Sequence, residues 1–129
     1  MSTLGIHHVN FHVPQPLLDS MKTFYCDVMD LRVGFRPEFK QSGYWLYAGT
    51  VPVVHLYEAV GTDIRATGVT SVYDHVAFHC TDLADVRSRL ERLSVPYSIV
   101  ELAHSGEFQI AVIDPAGHKL EFIVAPSQP

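Results

Sequence analysis

The seven residues HHVNFHV, His7 to Val13, recur as DHVAFHC, Asp74 to Cys80, and no other feature limits the fold so tightly. His8 falls on His75, Val9 on Val76, Phe11 on Phe78 and His12 on His79, at a constant offset of 75 − 8 = 67. Repetition at that distance implies one supersecondary unit built twice. Both copies alternate in polarity, the period of a half-buried strand. A helical period follows each. In the first copy Leu17, Met21, Phe24, Tyr25 and Val28 follow Pro14 and Pro16, which suit a helix start. In the second, Leu83, Val86, Leu90 and Leu93 follow Thr81 or Asp82 as the N-cap.

Further strands are predicted after each helix. The first copy gives Leu31–Phe35, Tyr44–Ala48 and Val53–Glu58, and the second gives Tyr97–Val100, Phe108–Ile113 and Lys119–Val124. The stretch DPAG, Asp114 to Gly117, marks a turn between the last two. The module ends also match: VVHLY (Val53–Tyr57) lies over KLEFI (Lys119–Ile123), which sets His55 against Glu121 after a one-residue slip. The Gly/Thr-rich, aperiodic AVGTDIRATGVT (Ala59–Thr70) reads as a connector. The expectation is an α+β fold of two β-α-β-β-β modules forming a cupped mixed sheet. The first module spans 1–58, a linker 59–72 and the second module 73–125, together one domain over 1–129.

Composition narrows the function. Hydrophobic residues make up 47% of the 129, enough apolar surface for a proper core. A net charge of −5, with no Lys/Arg cluster longer than two, argues against nucleic acid as a partner. The beginning of the chain shows no basic, apolar leader pattern, and no apolar run is long enough to span a bilayer. The two cysteines, Cys26 and Cys80, form no CxxC and read as reduced thiols, so a cytoplasmic setting is expected.

Strand parity sorts the histidines. His8, Asn10 and His12 share one face of the first strand, while Val9, Phe11 and Val13 share the face that packs on the helix. His75 and His79 repeat that arrangement, and His55 and Glu121 occupy matching slots on the last strand of each module. If the modules pack with pseudo-twofold symmetry, His8, His55, His75 and Glu121 can converge on one point. Imidazoles with a carboxylate suit a divalent transition metal, and two His plus one carboxylate with open positions suit iron(II). Glu121 sits between Leu120 and Phe122, where an unpaired carboxylate would be costly; a metal or a buried salt bridge would account for it. His12 and His79 lie four residues along from His8 and His75, roughly 13 Å away at about 3.3 Å per residue, too far for the same ion. They are expected to be structural or rim groups, and His104 and His118 solvated.

With these markers the sequence resembles the vicinal oxygen chelate superfamily. That group holds glyoxalase I, extradiol dioxygenases, methylmalonyl-CoA epimerase, fosfomycin-resistance enzymes and bleomycin-resistance proteins. The resemblance runs from Gly5 to about Val124 through IHHV, FYCDVMDLRVGFRP, PVVHL, DHVAFHCTDL and DPAGHKLEF, in order. It implies that His8, His75 and Glu121 hold a divalent metal, Fe(II) favoured and Ni, Co, Mn or Zn possible. The substrate would be a small molecule chelated through two adjacent oxygens. The remaining slot, a carboxylate in glyoxalase I-like members, is His55 here, either a fourth ligand or a proton handler. Glu121 and His55 are accordingly the candidate catalytic residues.

Tyr44, Tyr47 and Tyr57 are candidate pocket phenols, and Arg36 a candidate contact for an anionic substrate. The resemblance favours a metal-dependent, dioxygenase-like enzyme. The alternatives are a glyoxalase I-like lyase or isomerase, an antibiotic-inactivating transferase, and a metal-free bleomycin-resistance-type binding protein. A homodimer is expected.

Overall fold

The computed structural model describes residues 1–69 and 71–126; Thr70, the end of the expected connector, and residues 127–129 lie outside the described residues. Two compact units divide the chain, Met1–Ala66 and Thr67–Pro129.

The first unit runs β1 (Val9–Pro14), α1 (Gln15–Met29), β2 (Arg32–Gly34), β3 (Gly43–Ala48) and β4 (Val51–Ala59). Its sheet has the order β1-β4-β3-β2, with β1 parallel to β4 and the other pairs antiparallel. Extended Pro14 precedes α1 and a further proline stands in its first turn, where no N–H is needed. Asp30 ends the helix in the left-handed region, at φ 57°, with its N–H on the Tyr25 carbonyl. Leu18, Met21, Tyr25 and Val28 form the buried stripe of α1, and the sheet offers Leu46, Val54 and Leu56 to the same core. Burial of side chains this size contributes about 1.5–3 kcal/mol each.

The second unit repeats the order: β5 (His75–Cys80), α2 (Leu83–Arg92), β6 (Ser98–Glu101), β7 (Phe108–Ile113) and β8 (Lys119–Val124), with sheet order β5-β8-β7-β6. Asp82 caps α2, its carboxylate accepting the Asp85 N–H at 3.1 Å. Val86 and Leu90 of α2 and Leu120, Phe122 and Val124 of β8 are buried. Among the described residues no helix is long and apolar enough to cross a membrane.

Two seven-residue repeats were expected as strands, yet β1 begins at Val9 and β5 at His75, so His7 and His8 precede the ladder. Pairing sets the limit, since β4 reaches β1 only from Val54, opposite Val9. Strand β4 is longer than expected because β3 shifts register between Leu46 and Tyr47, which accommodates Pro52 opposite Tyr47. Alternation holds on both repeats: Val9, Phe11 and Val13 are less exposed than Asn10 and His12, and Val76, Phe78 and Cys80 less than His75, Ala77 and His79.

Register makes the internal repeat exact to the residue. Asn10 pairs with His55 across β1 and β4, and Ala77 pairs with Glu121 across β5 and β8. His8 lies two residues before Asn10 (10 − 8 = 2) and His75 two before Ala77 (77 − 75 = 2), so His8/His55 and His75/Glu121 are equivalent pairs.

Candidate metal centre

In the first unit, β4 carries His55 on the sheet face opposite the helix, between Val54 and Leu56, which point into the core. His8 lies face to face with it, ring centroids 3.9 Å apart and planes 11° from parallel. On the other side of His55 stacks Trp45, its register partner on β3, at 4.2 Å and 12°. The three rings form one column. His55 is 5% exposed and its Nε2 lies 3.1 Å from the Pro52 carbonyl oxygen, which makes Nε2 the protonated nitrogen. Burial holds its pKa below the usual imidazole range, and neighbouring His8 pushes the same way, while the Pro52 carbonyl opposes them. His55 is thus a neutral imidazole with its Nδ1 lone pair available. His8 is exposed, and its Nδ1 lies 2.8 Å from that of His7.

In the second unit, His75 faces Glu121, Nε2 to Oε2, at 3.2 Å. Its other nitrogen, Nδ1, donates to Asp74 at 2.7 Å. That bond holds the carboxyl of Asp74 below the usual carboxylate range, with Lys119 adding to the effect. Glu121 is 2% exposed. Lys119 stands 3.5 Å from both Asp74 and Glu121, so a cation partly compensates the buried carboxylate.

The chemistry of these groups fits a divalent metal: three imidazoles and one carboxylate are borderline donors for first-row ions. The Asp74–His75 bond adds to the fit, because a carboxylate on one ring nitrogen fixes the tautomer that presents the other as a donor. The structure gathers the four residues as two pairs. Among the described residues no group of three or more His, Cys, Asp or Glu side chains stands close enough to hold an ion.

The remaining sequence candidates separate. Tyr57 lies on the His55 face, its ring 5.5 Å from His12 and 5.4 Å from Phe39. Arg36 sits over that ring and the ring of Phe39. Tyr47 donates its hydroxyl to the Phe35 carbonyl at 2.5 Å and covers Gly34, where a Cβ would meet its ring at 2.6 Å. Tyr44 does not belong with them. Its parity turns it to the helix side, where its hydroxyl bonds Asp19 of α1 at 2.6 Å, which raises its pKa. The expectation that it lines a pocket is corrected on that ground.

His12 bonds Asp63 at 2.7 Å and is a paired structural group. His118 is half-buried rather than solvated, 3.9 Å from Asp114 and edge-on to Tyr73. Sequence reasoning missed Trp45 and Lys119. Each had a signal: Trp45 sits opposite His55 in the antiparallel pair, and Lys119 shares the parity of Glu121.

Two βαβββ units, each placing a histidine at or just before the start of its first strand beside a polar donor on its last, define a duplicated-module α+β protein. The chain belongs to the Glyoxalase/Bleomycin resistance protein/Dioxygenase superfamily, whose profile matches residues 5–122. Solved structures share the fold. A glyoxylase/bleomycin resistance protein/dioxygenase domain from Frankia sp. EAN1pec is 21% identical, covering 99% of this chain and 96% of its own, with a TM-score of 0.73. Lactoylglutathione lyase from Agrobacterium tumefaciens is 19% identical over 96% of each chain, with a TM-score of 0.68. A variant of the fosfomycin resistance protein FosX from Listeria monocytogenes, complexed with Mn(II) and 1S,2S-dihydroxypropylphosphonic acid, is 13% identical, covering 96% and 94%, with a TM-score of 0.70. No curated protein matches the chain in sequence.

Proposed function

We propose that the chain is a divalent-metal-dependent enzyme acting on a small molecule bound through two adjacent oxygens, by proton transfer of the lyase or isomerase kind. One observation carries this reading: the register equivalence of His8/His55 with His75/Glu121, two donor pairs at the same place in two units. Chance placement would not repeat the register. His8, His55, His75 and Glu121 would hold the ion, with Ni, Co, Mn, Zn and Fe(II) all suited to imidazole-rich donors. When bound, the metal supplies Lewis acidity to an oxyanion developing on the substrate.

The chain's own residues supply the rest. His55, neutral through burial, presents its one unprotonated nitrogen, Nδ1, as the donor that would hold the ion. Asp74 orients His75, and Trp45 and His8 fix the plane of His55.

Dioxygenase chemistry, preferred on the sequence, needs a position left open for oxygen. A fourth protein donor at His55 works against that. One observation favours the second reading: Nε2 of His55 is tied to Pro52, which leaves a single nitrogen to serve as ligand or base. Edge strand β6 exposes Ile99 and Val100, which supports a homodimer as the working form.

Metal analysis of the purified, reconstituted protein tests the reading, together with His8→Ala and Glu121→Ala. Stoichiometric divalent metal in the parent and its loss in both variants are expected. A parent that binds no metal under any reconstitution leaves the drug-binding alternative. Turnover of a methylglyoxal–thiol adduct, set against oxygen uptake with catechols, separates the two reactions. Unchanged metal affinity in His55→Gln would favour the dioxygenase.

A further inference from the structure

Arg36 is a half-buried cation with no carboxylate partner among the described residues. Its Cζ lies 4.9 Å from the ring centroids of both Phe39 and Tyr57, so two aromatic faces hold the guanidinium. Nη2 donates to the Gln41 carbonyl at 2.9 Å, and Nε is buried with no hydrogen-bond partner. Three other cations have carboxylate partners: Arg65 pairs with Asp63, Arg89 with Asp85, and Lys119 with Asp74 and Glu121. A Cβ at Gly43 would come within 3.0 Å of Nη2, so the absence of a side chain there makes room for the group.

Its place gives the cation a use. Tyr57 lies two residues beyond His55 on the same face of β4, about 7 Å along the strand. Phe39 also approaches Trp45, the ring that stacks on His55, with centroids 6.3 Å apart. The guanidinium therefore stands at the edge of the aromatic floor that carries His8 and His55, within the length of a small molecule.

We propose that Arg36 binds a carboxylate of the substrate, so that the enzyme acts on small carboxylic acids that also carry the chelating oxygens. Partial burial strips water from a charge that the two rings and the Gln41 carbonyl repay only in part, a cost that an incoming anion recovers. The planar fork matches a carboxylate, and the aromatic clamp fixes it beforehand, which lowers the ordering cost of binding. The substrate class rests on the metal-enzyme reading; carboxylate binding at Arg36 needs no metal.

Calorimetric titration of the full-length, chelator-treated protein with benzoate and its neutral isostere benzamide tests the proposal. The parent is expected to bind benzoate about tenfold more tightly than benzamide. Arg36→Gln is expected to abolish the preference while leaving benzamide binding unchanged, and Arg36→Lys to restore part of it. Equal binding of the two ligands, absence of binding, or a preference that survives in Arg36→Gln overturns the proposal. If Arg36→Gln does not fold, Arg36→Lys decides, since an undiminished preference there removes the planar fork from the explanation. Failure of the metal reading shows separately, in the metal content of the parent.

Discussion

His55 lies between two parallel rings, His8 at 3.9 Å and Trp45 at 4.2 Å, and is 5% exposed. A charged imidazole there would lose hydration and stand against His8, so the fold selects the neutral form. Selection of the neutral form couples the site to stability. The folded pKa lies below the unfolded value, near 6.5, so the unfolded chain takes up its proton first as pH falls. The contribution is complete above about pH 6.5 and is lost as pH falls from there through the folded pKa. Urea unfolding at pH 7.5 and pH 5.5 should show lower stability at the acid value, and His55→Gln should reduce the difference. Trp45, the chain's one tryptophan, gives a second reading: its emission should change over the same window in the parent and not in the variant.

Asp74 makes a different case, because it touches His75 and not Glu121. Its carboxylate holds Nδ1–H of His75 at 2.7 Å and so aims Nε2 at the Glu121 side. Loss of such an orienting carboxylate behind a histidine ligand typically weakens metal binding about 10- to 100-fold. Asp74→Asn should therefore lower Mn(II) affinity by that order in competition titrations while its thermal unfolding stays close to the parent's. An unchanged affinity would mean that His75 needs no orienting partner.

Tyr44 and Trp45 are neighbours on β3 with opposite faces and opposite expected phenotypes. Tyr44→Phe removes a hydrogen bond to Asp19 on the helix side, at a cost of about 1 kcal/mol or less, and should leave metal affinity and turnover unchanged. Trp45→Leu removes the ring behind His55 and should lower turnover about tenfold, on the scale of other residues that orient a ligand. Parallel Mn(II) titrations and rate measurements on the two variants check the contrast. Equal effects would place both residues outside the site.

The limits of the sequence follow from the same neighbours. Alternation and the 67-residue repeat, 75 − 8, were enough to set His8 and His75 at equivalent positions and to place both helices, because a strand with one buried face announces its period. Tyr44 was misjudged because strand membership alone does not say which face a residue takes. Face depends on register, and Tyr44 pairs with the core residue Leu56 while Trp45 pairs with His55. The link between His55 and Glu121 looked like a one-residue slip in the sequence, whereas pairing with β1 and β5 sets them in register. Neither the Tyr57 side of the clamp around Arg36 nor the bridge from Lys119 to Asp74 could be read, since both join residues distant in sequence.

Lys119 gives the sharpest test, since its effect on the protein should change sign with the metal. Its ammonium stands 3.5 Å from Glu121, the carboxylate proposed to hold the ion, and a cation there opposes a second cation at the same oxygen atoms. Without metal, Lys119 helps compensate a carboxylate that is 2% exposed. Because the lysine side chain is itself 37% exposed, water screens that pair and its contribution is about 1 kcal/mol. Lys119→Met should then lower the thermal midpoint of the metal-free protein by a few degrees, about 2–5 °C for a chain of this size. Mn(II) affinity should move the other way and rise about tenfold, because the competing charge is gone. Thermal scans with and without Mn(II) measure both effects on one sample. A variant destabilised alike in the two states would make Lys119 a structural counter-ion alone and remove Glu121 from the proposed ligand set.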